Sequence, residues 1–492
     1  MTAASTNNAL PRKQAEQSFA IWVVYLNIAL YATCYQLQRP VEPFLIEKLS
    51  KSEGLGRDSF DEYARLQSFF SVMQMVGSIF VGGLLDMLGP KAMFMVNFAA
   101  SALSYYLLSQ ATTMDILYYS KLPTVLQAGY LCAQTVFAQI TSDGEERVTT
   151  LGRLAVAYTV GMVAGPLIGG YLGSQGDYYF GARLACYGSV LSCVLTMLLP
   201  SESKKGAATA ASAPAADEGS SSQSAKSVPP RGSWELLKAS FFAVGGLLGT
   251  KVISSIANSM RETTFPLVLK DAFRFDEKAM GTAMSCLSAL NAIINGFLLG
   301  PVTRLFGGDL LPVLHSCLVA LVGLCLSQAA LLQAWTPPRA APQPAPLWAS
   351  SPSALWTYLA TTICLSICAY ILSTTATSES TSRVPMSMRG KLLGTEHSLF
   401  AAARVGAPSM GVALLKDWGP SGVAVAAAAV FASVVLAWRG VQGLPGQPFG
   451  RKAASRLLSL GDEGGNNSSG NCSIADAKGT SGNGEADERK EK

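Results

Sequence analysis

Stretches of about 20 apolar residues, the length an α-helix needs to cross a bilayer, recur along this chain with short polar gaps between them. Twelve segments are readable: 19–38, 64–85, 92–112, 117–140, 151–173 and 178–200, then 242–268, 279–300, 308–333, 354–377, 392–415 and 420–440. Hydrocarbon offers the backbone no water partners, so segments of this kind are helices. Composition agrees. Of the 492 residues, 49% are apolar and 14% charged, against about 25% charged in soluble domains. That balance excludes a soluble enzyme, a disordered scaffold and a nucleic-acid binder. A net charge of +5 is too small and too scattered for a polyanion-binding surface.

The expected architecture is an all-α membrane protein of two pseudo-symmetric six-helix bundles. Residues 1–18 form an N-terminal segment, 19–200 the first bundle and 238–440 the second. The Ala-, Ser- and Pro-rich stretch 201–237 reads as a flexible linker, and 441–492 as a disordered tail. The N-terminus is polar through Gln17 and lacks a small-residue cleavage site, so no removable signal peptide is expected. Lys and Arg favour the loops on the side of the termini by about two to one, which predicts cytoplasmic termini in a plasma or internal membrane. The sequons at Asn466, Asn467 and Asn471 then stay unmodified. Nine of the ten cysteines lie in apolar runs, Cys472 in the tail, and none has a metal-ligand spacing.

The two halves echo one another. Gly82, Asp86 and Gly89 follow the second segment, and Gly300, Arg304 and Gly307 follow the eighth at the same spacing. Gly165, Pro166 and Gly169 in the fifth are answered by Gly406, Pro408 and Gly411 in the eleventh. Such repeats place a binding site between the halves near the bilayer midplane. The loop from Gly82 to Lys91 reads either as a simple turn or as a conformational latch, with Asp86 accepting from a neighbouring helix N-terminus. Gly161, Gly165 and Gly169, spaced by four and followed by Gly170, form a stripe without side chains against which another helix can pack closely. Pro166 bends the same segment.

These residues, with Thr141-Ser142-Asp143-Gly144-Glu145-Glu146-Arg147 and Leu151-Gly152-Arg153 before them, resemble the major facilitator superfamily. Within it the chain is similar to the twelve-span drug:proton antiporters, including tetracycline exporters and organic-cation-transporter-like proteins. Ser120-Lys121-Leu122-Pro123, Lys251-Val252, and Leu393-Gly394 through Arg404 extend the likeness, which covers residues 19–440. The resemblance implies a proton-coupled exchanger with a central cavity lined by spans one, four, seven and ten. Four positions depart from the family pattern. Met87 and Pro90 stand where the latch carries basic residues, Lys121 replaces the arginine of span four, and Tyr31 falls near the acidic position of span one.

Ionisable residues inside a membrane are costly and point to function. In span seven, Lys251, Ser254, Ser255, Asn258, Arg261 and Glu262 recur at helical spacing on one face. Comparable polar stripes are Asn27, Tyr31, Tyr35 and Gln38 in span one, and Gln67, Ser71, Gln74 and Ser78 in span two. Gln127, Tyr130 and Gln134 mark span four; Thr362, Ser366, Tyr370 and Ser373 mark span ten. Together with His397, which titrates near neutral pH, and Arg404, they outline a polar cavity. A bland reading stands beside each: Arg261 and Glu262 as a charge pair at the membrane margin, Glu396 and His397 as flanking residues of span eleven. The deep charges balance to neutral or slightly positive, which admits zwitterionic and anionic solutes as well as cations.

No phosphate-binding G-x-x-x-x-G-K-[ST] loop is present. The expected activity is secondary active transport, proton-coupled antiport of small organic, cationic or zwitterionic solutes by a monomer. It requires a bilayer and a proton gradient, and neither cofactor nor metal. A uniporter or symporter of the same fold, and a membrane sensor or scaffold that transports nothing, are the alternatives.

Overall fold

The computed structural model describes residues 9–54, 58–140, 145–199, 232–297, 299–306, 309–333, 352–384 and 386–442. The secondary structure described is helical throughout. α1 (Ala9–Leu37) is followed by a short α2 (Glu42–Ser52), then α3 (Ser59–Leu88) and α4 (Pro90–Ser109). Asp58 caps α3 by accepting from the Phe60 amide at 3.0 Å, with Asp61 and Glu62 in the first turn favouring the positive end of the helix. Gly89, at φ +79°, turns the chain straight into Pro90 at the start of α4. Among the residues of the predicted latch, Gly89 thus makes the tight turn; the side-chain surroundings of Gly82 and Asp86 lie outside the described residues.

The fourth predicted segment, 117–140, is not one helix. It comprises α5 (Met114–Lys121), a 3-10 turn (Leu122–Leu126) and α6 (Gly129–Ile140). Pro123 lacks the amide that would continue α5, and Gln127 is extended. The amide of Ala128, freed at this break, donates to Asn97 Oδ1 at 2.7 Å. α7 (Glu145–Gly173) and α8 (Phe180–Met197) complete the first half.

The second half has α9 (Gly232–Asp271), α10 (Glu277–Phe297) with the short α11 (Leu299–Leu305), α12 (Leu310–Gln333) and α13 (Pro352–Ser382). α14 (Met386–Gln442) covers both of the last predicted segments, bent at Gly419 (φ +71°) and Pro420. α9 takes in the last six residues of the predicted linker, 232–237; linker residues 201–231 lie outside the described ones, as does the tail from 443. Among the described residues, seven helical stretches are long and apolar enough to cross a membrane, and one of them, Ser398–Trp438, spans the α14 bend.

Lipid tails are as apolar as leucine, so helix association in a membrane depends on close contact. Gly161, Gly165 and Gly169 supply it. A Cβ at Gly161 would overlap Ala32, at Gly165 Gln36, and at Gly169 the backbone of Leu37. The stripe therefore seats α7 on α1 inside the first half. Of its echo in the second half, Gly411 of α14 lies against the Met260 backbone of α9, whereas a Cβ at Gly406 would meet nothing within 4 Å. Gly170, one residue past the stripe, faces away to Gly281 of α10 and joins the two halves. Two buried clusters, around Phe94, Phe98 and Phe137 and around Leu314, Leu365 and Phe431, belong to one half each. A third brings Leu45, Leu49 and Tyr63 together with Leu269, Phe273 and Met280 from the other half.

Candidate functional site

At one face of the molecule, here called the distal face, polar bonds tie the halves together. Lys270 at the end of α9 pairs with Glu47 of α2, donates to the Pro43 carbonyl at 2.9 Å and lies over the Phe44 ring. Lys416 bridges Asp58 at 3.0 Å and Asp61 at 2.9 Å. Tyr178 donates to Glu277 at 2.8 Å. Deeper, Ser285 donates to the Val163 carbonyl at 2.7 Å, and Ser68–Ser409 and Ser78–Ser398 hydroxyl pairs join α3 to α14.

The Glu47 clamp predicts a pH response. Burial alone raises the Glu47 carboxyl, but hydrogen bonds from Lys270 and Lys51 outweigh it and hold the group below its ordinary 4.5. A carboxyl depressed in the clamped state stabilises that state above its free pKa and loses the contribution as pH falls through the lowered value. The distance between spin labels on α2 and the end of α9 is therefore expected to lengthen below about pH 4.5 and to stay constant with pH in Glu47→Gln. A pH-independent distance in the unmutated clamp would contradict this.

Behind this face lie two buried ion pairs. In the second half, Lys251 of α9 pairs with Glu396 of α14 and donates to Thr377 of α13; the two charged side chains are 13% and 10% exposed. In the first half, Lys121 pairs with Glu42 at 2.7 Å, and Gln67 donates to the other oxygen of Glu42 at 2.7 Å. Arg404 lies over Phe400 and 3.7 Å from Glu262, whose charge also acts on Arg39 at the end of α1. Between the halves stand tyrosines. Tyr130 and Tyr158 meet edge to face at 5.3 Å, and Tyr370 is 53% exposed.

The expected cavity residues divide. Tyr370 and Gln134 are exposed, Tyr31, Asn258 and Ser366 half-buried, and Lys251, Glu262 and Arg404 enter the ion pairs above. Tyr31 packs on Phe98 beside Gly129, where the fourth segment breaks. Asn27, expected on the cavity wall, instead turns into the first bundle, fully buried, donating to Thr196 of α8 at 3.4 Å. Ser255 is also buried and donates to the Val252 carbonyl of its own helix. Arg261 and Glu262, readable as a mutual charge pair, point apart: Glu262 towards Arg404, Arg261 into a cleft within the second half. The side chain of His397 lies outside the described residues.

Sequence reasoning missed Glu42 as a buried charge. It sits just past span one, in a loop that reads as mixed and solvated. The signal was Pro43, a residue suited to the first turn of a helix; it stands second in α2 and leaves Glu42 as the first helical residue, with its carboxylate on Lys121.

The sequence profile of the Major Facilitator Superfamily matches residues 24–338. Human solute carrier family 67 member A1 is 28% identical over 325 residues, covering 63% of this chain and 71% of the relative. Mouse solute carrier family 22 member 18 is 28% identical over 322 residues, 64% and 74% of the two chains. The Escherichia coli tetracycline resistance protein, class C, is 24% identical over 292 residues, 58% and 68%. Among solved structures, the human organic anion transporter MFSD10 superposes with a TM-score of 0.53 at 17% identity, covering 85% of this chain and 99% of that one. The peptide transporter POT gives 0.58 at 13% identity, covering 90% and 94%. The profile covers well over half of the chain and the helices follow the fold it describes, so the chain belongs to the major facilitator superfamily, as a multi-pass membrane transport protein and not an enzyme.

Proposed function

We infer that this transporter is a proton-coupled antiporter of small amphipathic organic solutes, cationic or zwitterionic, working by alternating access between its halves. The Lys251–Glu396 pair carries the reading. It is buried, and it joins α9 and α14, both of which also bond to the opposite half through Lys270, Ser398 and Ser409. A proton on Glu396 cancels its charge and frees Lys251. A cationic solute group can instead take the place of Lys251 beside Glu396. One carboxylate holds a proton or a solute cation, and this competition is the minimum an exchanger needs. Lys121–Glu42 gives the first half a comparable charge element. Tyr130, Tyr158 and Tyr370 supply ring faces, each worth about 0.5–2 kcal/mol to a desolvated cation.

The tetracycline resistance relatives support export of a drug-like solute. The energy source is the proton gradient without a cofactor, the working unit is a monomer, and the termini face the cytoplasm of a plasma or internal membrane.

The test is uptake of a fluorescent organic cation into proteoliposomes. An inside-acid gradient is expected to drive accumulation several-fold over its absence, and an ionophore that collapses the gradient to abolish it. Flux indifferent to the gradient would replace antiport by uniport.

A further inference from the structure

Lys121, Lys251 and Arg404 all have carboxylate partners. Arg261 has none among the described residues; its polar contact is Asn258 Oδ1 at 3.5 Å. An intramembrane guanidinium cannot shed its proton to escape the cost of burial, so it calls for a counter-charge. Its setting is a narrow cleft, partly open, between α9, α12, α13 and α14. Four further polar residues share it: Thr264, Gln328, Tyr358 and Thr362, each less than a tenth exposed. Gln328 donates to Thr361 at 3.0 Å and Thr362 at 3.2 Å. That makes the two threonine oxygens acceptors, and because Tyr358 and Thr362 also bond to each other, one hydroxyl hydrogen of that pair stays available in the cleft. The remaining walls are apolar, and one of them is the turn of α14 that follows the Gly419 bend, from Pro420 to Ala424.

The cleft is separate from the space between the halves. Successive helix residues diverge by about 100°, and Glu262 accordingly faces Arg404 while Arg261 faces into the bundle. We propose that the Arg261 cleft is a second binding site, specific for an oxyanion: a phosphate group gripped by the guanidinium and by the one hydroxyl that the Tyr358–Thr362 pair leaves free to donate. Arg presents a planar fork of donors that matches two phosphate oxygens at once. The apolar walls suit a phosphate on a lipid headgroup, and a free phosphate has the same chemistry at the guanidinium.

Binding, not transport, is the readout, so the result does not depend on the antiport reading. The full chain in phosphatidylcholine nanodiscs is titrated with inorganic phosphate, and in parallel nanodiscs phosphatidic acid replaces part of the phosphatidylcholine. Thermal unfolding and native mass spectrometry follow binding. One of the two additions is expected to raise the unfolding temperature by several degrees. The apparent affinity is expected to fall at least tenfold in Arg261→Gln and less in Arg261→Lys. A response to phosphatidic acid alone assigns a lipid headgroup, and a response to inorganic phosphate assigns the free ion. Should Arg261→Gln not fold, hydrogen exchange of the unmutated protein decides, with ligand-induced protection expected across 258–265 and 355–365. No stabilisation by either addition, an equal response in Arg261→Gln, or no protection in those segments would overturn the proposal.

Discussion

Lys251→Ala is expected to stop solute exchange and to destabilise the fold by about 3–5 kcal/mol, the cost of leaving one member of a buried ion pair without the other. The stranded group is Glu396, 7% exposed and left, among the described residues, with Thr377 as its bonded neighbour. Thermal unfolding in detergent and flux in proteoliposomes measure the two losses. They separate in the double variant Lys251→Met/Glu396→Leu, because replacing both charges by apolar groups of similar volume is often neutral or stabilising. That variant is expected to regain stability and still lack gradient-driven exchange. Recovery of exchange together with stability would show that the pair only holds the helices together. Unchanged flux and stability in Lys251→Ala would remove the pair from both roles.

The second large effect comes from the glycines where helices touch. A Cβ at Gly281 would stand 2.8 Å from the Gly170 Cα and 3.1 Å from its nitrogen. These are backbone atoms that no rotamer change can clear, so Gly281→Ala is relieved only by moving α10 off α7. Overpacking of this sort costs about 1–3 kcal/mol, which shifts a two-state equilibrium about 5- to 150-fold. The expected result is an opened distal face in a protein that still folds. Alkylation of Tyr178→Cys, placed where the Tyr178–Glu277 bond closes that face, should speed up accordingly when combined with Gly281→Ala. Gly169→Ala makes the contrast. Its Cβ would meet the Leu37 backbone, with the carbonyl carbon 2.7 Å away, inside one half, and the loss should appear as reduced unfolding temperature with no added reactivity at position 178. Equal reactivity in both variants would mean that the Gly170–Gly281 contact does not hold the halves shut.

Much of the helical layout was legible because a bilayer forces it to be written locally: each crossing must carry its own apolar run and satisfy its own backbone bonds. Where the reading slipped, hydropathy had nothing to register. Pro123 and Gly129 break the fourth segment without making it polar. Gly419 and Pro420 bend α14 without ending it. α2 has 11 residues, too short to cross and charged enough to pass for a loop, yet six of them are buried.

The glycine spacing by itself determined that α7 would carry a surface smooth enough for another helix. Tertiary structure decided that the stripe serves α1 within one half, while Gly170, turned by one residue, serves the other half. Ionisable residues were visible as a list of candidates, and their pairing was not. Lys251 and Glu396 are 145 positions apart, Lys121 and Glu42 are 79, and a charge's partner depends on which helices the bundle sets side by side. The same holds for Arg261 and Glu262, adjacent in the chain but facing different spaces, because neighbouring side chains on a helix leave it in different directions and only the surrounding bundle gives each direction something to meet.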